Sequence, residues 1–130
     1  MNRKRRIVLE LQALPPAFGD RTMIRQILYN LISNAFKFTR AKQNPVIQVG
    51  FVEGGNQNTY YVRDNGVGFD MQYSSKLFGV FQRLHNVDEF EGSGVGLALV
   101  QRMVLRNGGR VWAEARVGEG ATFYFSLSKA

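Results

Sequence analysis

The sequence predicts an α+β fold, a two-layer sandwich in which three main helices cover one face of a mixed, mostly antiparallel sheet. Two observations support this prediction. Short segments with alternating apolar and polar residues are mostly paired across glycine-containing turns, which is typical of antiparallel hairpins. Other segments repeat their apolar residues with the period of an α-helix. The chain has 130 residues, 45% of them hydrophobic, which is enough for one domain with its own core.

The chain begins with a short strand and then the longest helix. Residues 7–11 alternate apolar and polar side chains, and Pro15-Pro16 ends this strand. A helix is predicted over Thr22–Thr39, with Asp20 as its N-cap. Its apolar residues recur at helical spacing on one face, namely Ile24, Ile27, Leu28, Leu31, Ala35 and Phe38.

A polar stripe borders this apolar face. It consists of Asn30, Asn34 and Lys37, at positions i, i+4 and i+7. Asn is a poor helix former, so a helix that only packs would carry Glu, Lys, Gln or Arg there. Amide oxygens can complete the oxygen shell of Mg²⁺, and an ammonium group can meet a phosphate. Taken alone, however, such a stripe is more often a solvated helix shoulder, and both interpretations stay open at this point.

The next two strands are predicted to form a hairpin that ends in a distinctive turn. They are predicted at Val46–Val52 and Thr59–Arg63, with a turn cluster at residues 54–58. The second strand runs into residues 64–68 (DNGVG), so a carboxylate is held at the strand end while the backbone bends away. Such a group can accept a hydrogen bond from an amine on a flat ligand. Asp-Asn-Gly is also ordinary turn chemistry, which is the favoured interpretation in isolation.

Two glycine-containing segments follow. Residues 77–81 (LFGVF) carry two aromatic residues at i, i+3, for which core packing is the default and partner docking the alternative. Residues 82–91 form a charged loop of a length typical of lids, and His85 lies in it without a nucleophile pattern beside it. Residues 92–97 (GSGVGL) lead into a helix at Ala98–Arg106, where backbone N–H groups could meet phosphate. This glycine pattern is weak evidence alone, since it is neither a Rossmann nor a P-loop motif.

The chain closes with a second predicted hairpin, and its composition excludes several classes of protein. The strands are Arg110–Arg116 and Ala121–Leu127. The absence of cysteine excludes disulfides and cysteine-based zinc sites and fits an intracellular setting. No apolar run reaches the ~18 residues of a membrane span, and no signal peptide opens the chain. The formal charge of +7 has its only dense basic run at residues 3–6, so we interpret it as a general affinity for anions.

Together, these motifs resemble the catalytic, ATP-binding domain of bacterial sensor histidine kinases, in the superfamily shared with gyrase-type, chaperone and mismatch-repair ATPases. Residues 30–39 are similar to the family's N box and residues 64–68 to its first glycine box. Residues 78–81 are similar to the phenylalanine box and residues 92–97 to the second glycine box. The resemblance spans residues 7–127 and implies a Bergerat-type fold. Residues 81–85 and 111–114 look closest to phytochrome-like kinases.

The resemblance implies a role for each matching residue. Asn34 would ligate Mg²⁺ with the help of Asn30, and Lys37 would contact phosphate; Asn34 and Lys37 would thus be the catalytic pair. Phe38 would flank the adenine, whose amine would donate to Asp64. The remaining nucleotide contacts would come from Gly66, Gly68, Gly92, Gly94, Gly96, Leu97 and Thr122. The residues facing a partner domain would be Phe78, Phe81 and Arg83.

These roles lead to a functional expectation. The chain should be one domain (residues 1–130, core 6–128) that binds Mg-ATP and phosphorylates a histidine on a separate dimerisation domain, which this chain lacks. A response regulator would act downstream. We expect a monomeric, cytoplasmic fragment whose parent protein could be membrane-anchored, and no nucleic-acid partner. The alternatives are a stand-alone ATPase or anti-sigma-like serine kinase of the same superfamily, and a degenerate module that binds ATP without turnover.

Overall fold

Five strands form one sheet, and the two helices described lie on one of its faces. The computed structural model describes residues 6–72, 77–78 and 94–130. Along the chain, the elements are β1 (Val8–Leu11), α1 (Arg21–Phe38), β2 (Val46–Val52), β3 (Gln57–Asp64), α2 (Gly94–Arg106), β4 (Val111–Arg116) and β5 (Gly120–Ser128). The strand order is β1-β2-β3-β5-β4. Only β1 pairs in parallel, with β2, and the other pairs are antiparallel. The predicted mixed, mostly antiparallel sheet is therefore confirmed.

The longest helix begins where its sequence predicts. The Asp20 side chain accepts a hydrogen bond of 2.9 Å from the Met23 N–H, so the predicted N-cap is confirmed. At the other end, the Thr39 N–H donates to the Ala35 carbonyl. The middle and end of the predicted apolar face are buried, at Ile27, Leu31, Ala35 and Phe38.

The core lies between this helical layer and the inner face of the sheet. Side chains alternate between the two faces of a strand, and those of β5 that point inward are Ala121, Phe123, Phe125 and Leu127, all at most 3% exposed. Their partners across β3 include Val62 opposite Phe123 and Tyr60 opposite Phe125, and the Tyr60 and Phe125 rings stack with their centroids 5.3 Å apart. The alternation predicted for the last strand is confirmed.

The two helices run antiparallel, so the start of α2 lies near the C-terminal half of α1. Asn107, just after α2, accepts a hydrogen bond from the Asp20 N–H at 2.7 Å and contacts the Met23 sulfur. The C-terminal end of α2 is therefore beside the N-terminal end of α1. The rise from Arg106 back to Gly94 is about 18 Å, equal to the rise from Thr22 to Asn34 in α1. The glycine-rich start of α2 consequently lies at about the level of Asn34.

Two elements begin more than one residue away from the start that the sequence predicts. The helix α2 begins at Gly94 rather than Ala98, because glycines can adopt helical backbone angles when packing favours the helix. The strand β3 begins at Gln57, inside the predicted turn cluster, because residues 57–64 pair continuously with β5. Of residues 77–81, which carry the aromatic pair singled out in the sequence, only 77–78 are among the described residues. Neither helix described is long and apolar enough to cross a membrane.

Candidate functional site

A buried carboxylate occupies the end of β3. Asp64 is 5% exposed, and its Oδ1 accepts a hydrogen bond of 2.8 Å from the Gly66 N–H. Burial raises the pKa of the Asp64 carboxyl from 3.8 to about 6, and hydrogen bonds from the backbone of Gly66 and Ala121 partly oppose this rise. The side chain is thus ionised at neutral pH inside a poorly solvated site. It is a strong acceptor for a donor brought by a ligand.

The turn after Asp64 is bonded to the end of α1. The Val67 N–H donates to the Phe38 carbonyl at 3.1 Å. A Cβ at Gly66 would overlap that same carbonyl oxygen and would stand 2.9 Å from the Asp64 Oδ1. Any side chain at position 66 would therefore separate α1 from the turn. The fold itself requires this glycine, whether or not a ligand approaches it.

Two further glycines let strands approach this turn closely. Gly68 has φ +64°, and a Cβ there would overlap the Arg116 carbonyl oxygen. Gly120 has φ +105°, and a Cβ there would overlap the Asp64 carbonyl oxygen. The sequence predicts Gly120 only as a turn residue. Its contact with Asp64 could not be identified locally, because the two residues are brought together by the β3–β5 pairing.

Asn65 is a site residue that sequence reasoning missed. Its Oδ1 accepts from the Val46 N–H at 2.8 Å, and its Nδ2 donates to the Asn44 carbonyl at 2.9 Å. Its own N–H donates to the Val46 carbonyl at 3.3 Å. The side chain therefore ties the turn beside Asp64 to the loop before β2. The only signal in the sequence was a turn-forming Asn, because its partners are about twenty residues away along the chain.

One residue of the polar stripe on α1 is buried, and the other two are half-buried. Asn34 is 7% exposed, and its side chain has no hydrogen-bond partner among the residues described. Asn30 is half-buried and accepts from the Gln26 Nε2 at 2.9 Å, and Lys37 is also half-buried. A buried amide without a partner is costly, so its oxygen is suited to a ligand that supplies one. Amide oxygen also fits a hard cation such as Mg²⁺, and the described residues contain no cluster of three acidic or His side chains that could hold a metal alone.

The start of α2 differs from the Asp64 turn in whether packing requires its glycines. Gly94 is the first residue of α2 and Gly96 lies in its first turn. A Cβ at Gly96 would meet no heavy atom of the described residues within 4 Å, so packing there does not require glycine. Leu97, by contrast, is 3% exposed and belongs to the hydrophobic core.

The Thr122 side chain does not face the Asp64 carboxylate, and the predicted role of its hydroxyl near a bound base stays a prediction. Residue 121 pairs with Asp64, so the Thr122 side chain points to the opposite face of the sheet. There its Oγ1 accepts a hydrogen bond of 3.2 Å from the Arg63 Nε. The alternation of the last strand already contained this information, because it assigns Ala121 and Phe123 to the inner face.

Phe78 packs partly against the core, and its predicted role facing a partner domain stays a prediction. It is half-buried, and its ring meets that of Phe123 edge-on with the centroids 6.3 Å apart. The Phe78 ring therefore packs against the core, as the default interpretation of the aromatic pair predicts. The predictions for Phe81, Arg83, His85, Gly92 and the lid at residues 82–91 lie outside the described residues.

Comparison with known proteins agrees with this architecture. Residues 19–130 match the model of the family described as histidine kinase-, DNA gyrase B-, and HSP90-like ATPase. Cyanobacterial phytochrome A of Nostoc sp. strain PCC 7120 is 43% identical over 114 residues, which are 88% of this chain and 15% of that protein. The chain thus spans less than a sixth of this relative's length. The predicted likeness to phytochrome-type kinases is confirmed.

Solved structures give the same result. The catalytic domain of histidine kinase ThkA, in a nucleotide-free form, is 25% identical, with a TM-score of 0.76 over 95% of this chain and 79% of that chain. Full-length ShkA in complex with AMPPNP is 29% identical, with a TM-score of 0.74 over 95% of this chain and 26% of that chain. From its motifs, its sheet and these relatives together, the chain belongs to the histidine kinase-, DNA gyrase B- and HSP90-like ATPase family, as an ATPase domain of the sensor-kinase type.

Proposed function

We propose that this chain binds Mg-ATP and donates the γ-phosphoryl group to a histidine on a separate dimerisation domain, as part of a two-component signalling system. The observation that carries the proposal is the buried Asp64 carboxylate, bonded through its turn to the end of the helix that buries Asn34, whose side chain has no hydrogen-bond partner among the described residues. This arrangement offers an amine acceptor and a cation ligand at one end of the same helix. The ShkA complex with AMPPNP supports the nucleotide part of the proposal.

In this proposal, Asp64 recognises the adenine. The ionised carboxylate is an acceptor only, so it favours the amino group of adenine over the carbonyl oxygen that guanine has at the same place. The glycines at positions 66 and 68 keep the neighbouring backbone free of side chains. Phe38, at the end of α1, would flank the ring. The adenine base would therefore be recognised by the Asp64 carboxylate, whose burial makes each of its hydrogen bonds stronger.

The polar stripe and the start of α2 would hold the phosphates. Asn34, assisted by Asn30, would hold Mg²⁺, which when bound offsets the negative charge of the triphosphate. Lys37 would contact a phosphate oxygen. The N–H groups at the start of α2, including that of Gly96, would face the phosphates at the positive end of the helix dipole. No general base is needed from this chain, because positioning and charge neutralisation carry most of phosphoryl transfer.

The acceptor histidine would come from another domain. His85 is the only histidine of this chain, and the family resemblance assigns it to a lid over the nucleotide. An acceptor must approach the γ-phosphate in line from outside the pocket. We therefore propose a histidine-bearing dimerisation domain as the direct partner and a response regulator downstream. Residues 1–130 would act as a single catalytic domain, monomeric when separate from these partners.

Phosphotransfer in trans tests this proposal. The purified chain incubated with γ-labelled ATP should show no acid-labile phosphate by itself, and adding a matching dimerisation domain should give label on that domain's histidine. The control variant His85→Gln should transfer equally well. Stable label on His85 of this chain, or label on the serine of an added protein, would contradict the proposal, and the second result would favour an anti-sigma-like serine kinase.

A further inference from the structure

A second cavity lies at the end of α1 remote from Asp64. It has a volume of about 550 Å³, opens to solvent, and is lined by the segment of residues 14–19, the first two turns of α1 and the inner face of the sheet. Its floor consists of Tyr60, Phe125 and Leu127. The rise along α1 from Ile24, which lines the cavity, to Phe38 is about 20 Å, so this cavity is separate from the proposed nucleotide site.

The wall formed by residues 14–19 is bonded to the sheet. The Tyr60 hydroxyl donates to the Pro15 carbonyl at 2.9 Å, and the Phe18 N–H donates to the Ser128 carbonyl at 3.0 Å. Ala17 also forms an isolated bridge with Lys129. The two prolines at positions 15 and 16 restrict the backbone further. The cavity therefore has a preformed wall, as small-molecule sites usually do.

The cavity is lined mainly by apolar side chains, and two arginines stand on its helical side. Arg21 and Arg25 are at i, i+4 and so project from the same side of α1. Both are exposed, and neither has an ion-pair partner among the described residues. The neighbouring carboxylate of Asp20 is already used as the N-cap. Two guanidinium groups that no described carboxylate pairs, beside an apolar cavity, complement a ligand that is apolar at one end and anionic at the other.

We propose that this cavity binds a small anionic amphiphile, with its apolar chain against Ile24 and Leu28 and its carboxylate between Arg21 and Arg25. The volume falls within the range of about 300–1,000 Å³ that is typical of small-molecule sites. This site goes beyond the proposed kinase function, and its occupation does not require the nucleotide.

Calorimetric titration with decanoate, below its micelle concentration, tests the proposal on the intact chain. We expect saturable binding of one decanoate per chain, in the presence or absence of ADP, and no binding of decyltrimethylammonium, which has the same tail and the opposite charge. The double variant Arg21→Gln/Arg25→Gln should bind decanoate at least about tenfold more weakly, because it loses both charge-assisted contacts.

The chain offers a matched control. Arg102 and Arg106 are two exposed arginines at the same i, i+4 spacing on α2, and neither lines the cavity, so Arg102→Gln/Arg106→Gln removes the same charge from the neighbouring surface without changing the lining. This variant should retain the affinity for decanoate. An equal loss in both double variants would show that only the net charge matters and would overturn the proposal.

Methyl NMR of the unmodified chain provides an independent readout. Decanoate should shift the methyl signals of Ile24 and Leu28 and leave that of Ile47, which pairs with Asp64, unchanged. Shifts centred on Ile47, equal binding of the cationic amphiphile, or several decanoate molecules per chain would each contradict the assignment. Tighter binding of an acidic, apolar peptide than of decanoate would also overturn it, in favour of a protein partner.

Discussion

At the scale of single residues, glycines of similar appearance in the sequence have different roles. Gly66, Gly68 and Gly120 lie where a Cβ would overlap a backbone carbonyl of the protein itself. Gly96 lies in open space among the described residues. Glycine is required at the first three positions by the fold, whereas at Gly96 no described residue requires it. Substitution can therefore separate the two roles.

We predict opposite outcomes for Gly96→Ala and Gly66→Ala. Gly96→Ala should leave the free energy of unfolding unchanged or raise it by up to about 1 kcal/mol, since Ala is the better helix former, and should weaken ATP binding. Gly66→Ala should destabilise the chain itself, because the new Cβ overlaps the Phe38 carbonyl. Chemical denaturation and calorimetric titration of both variants check this. Normal ATP affinity in Gly96→Ala would exclude a phosphate contact at that position.

A second prediction concerns the choice of nucleotide by Asp64. Asp64→Asn should lower the affinity for ATP by about ten- to a hundredfold at pH 7.5, because a charge-assisted hydrogen bond of about 1.5–3 kcal/mol is lost. The unmodified chain should prefer ATP to GTP. Glu119→Gln, which removes one exposed negative charge from a nearby turn, is the control and should bind ATP normally. Equal affinities for ATP and GTP would remove Asp64 from base recognition.

At the scale of elements, α1 combines packing and a site on one helix. Its N-cap, its apolar face and its end near residue 38 were predictable from local pattern alone. The burial of Asn34 was not, since a helical wheel gives the direction of a side chain but not the position of its neighbours. For this reason the sequence could not distinguish a solvated helix shoulder from a stripe that binds a cation and a phosphate. The turn at residues 64–68 and the antiparallel α2 bring it close to the other site residues.

Asn34→Ala tests the stripe on this helix. The fold should persist, because the change removes a buried amide that has no partner among the described residues and introduces a better helix former. ATP binding should become less dependent on Mg²⁺, which is measured by titrating ATP with and without the cation. Ser33→Ala, one residue earlier on the same helix, is the control and should keep the full Mg²⁺ dependence. If Asn34→Ala binds Mg-ATP normally, the stripe has no metal role.

At the scale of the whole molecule, the pKa of Asp64 links folding to pH. Its folded-state pKa of about 6 is above the ordinary value of 3.8, so this group's contribution to stability is fully present below pH 3.8 and is lost as the pH rises through 6. The loss is about 3 kcal/mol. We expect the unfolding free energy of the nucleotide-free chain, measured relative to Asp64→Asn, to fall by about this amount between pH 4 and pH 7. A constant difference between the two proteins would show that the carboxylate is well solvated.

The sequence by itself determined the order and type of the elements, the capped helix, the four motifs and the family. These features depend on apolar periodicity, caps and short spacings, all of which are local along the chain. Tertiary structure decided which residues meet. The β3–β5 register places Ala121 beside Asp64 and directs Thr122 to the other face, and Asn65 bonds to a loop about twenty residues away. Such contacts depend on strand pairing and packing across the core, which no local pattern specifies.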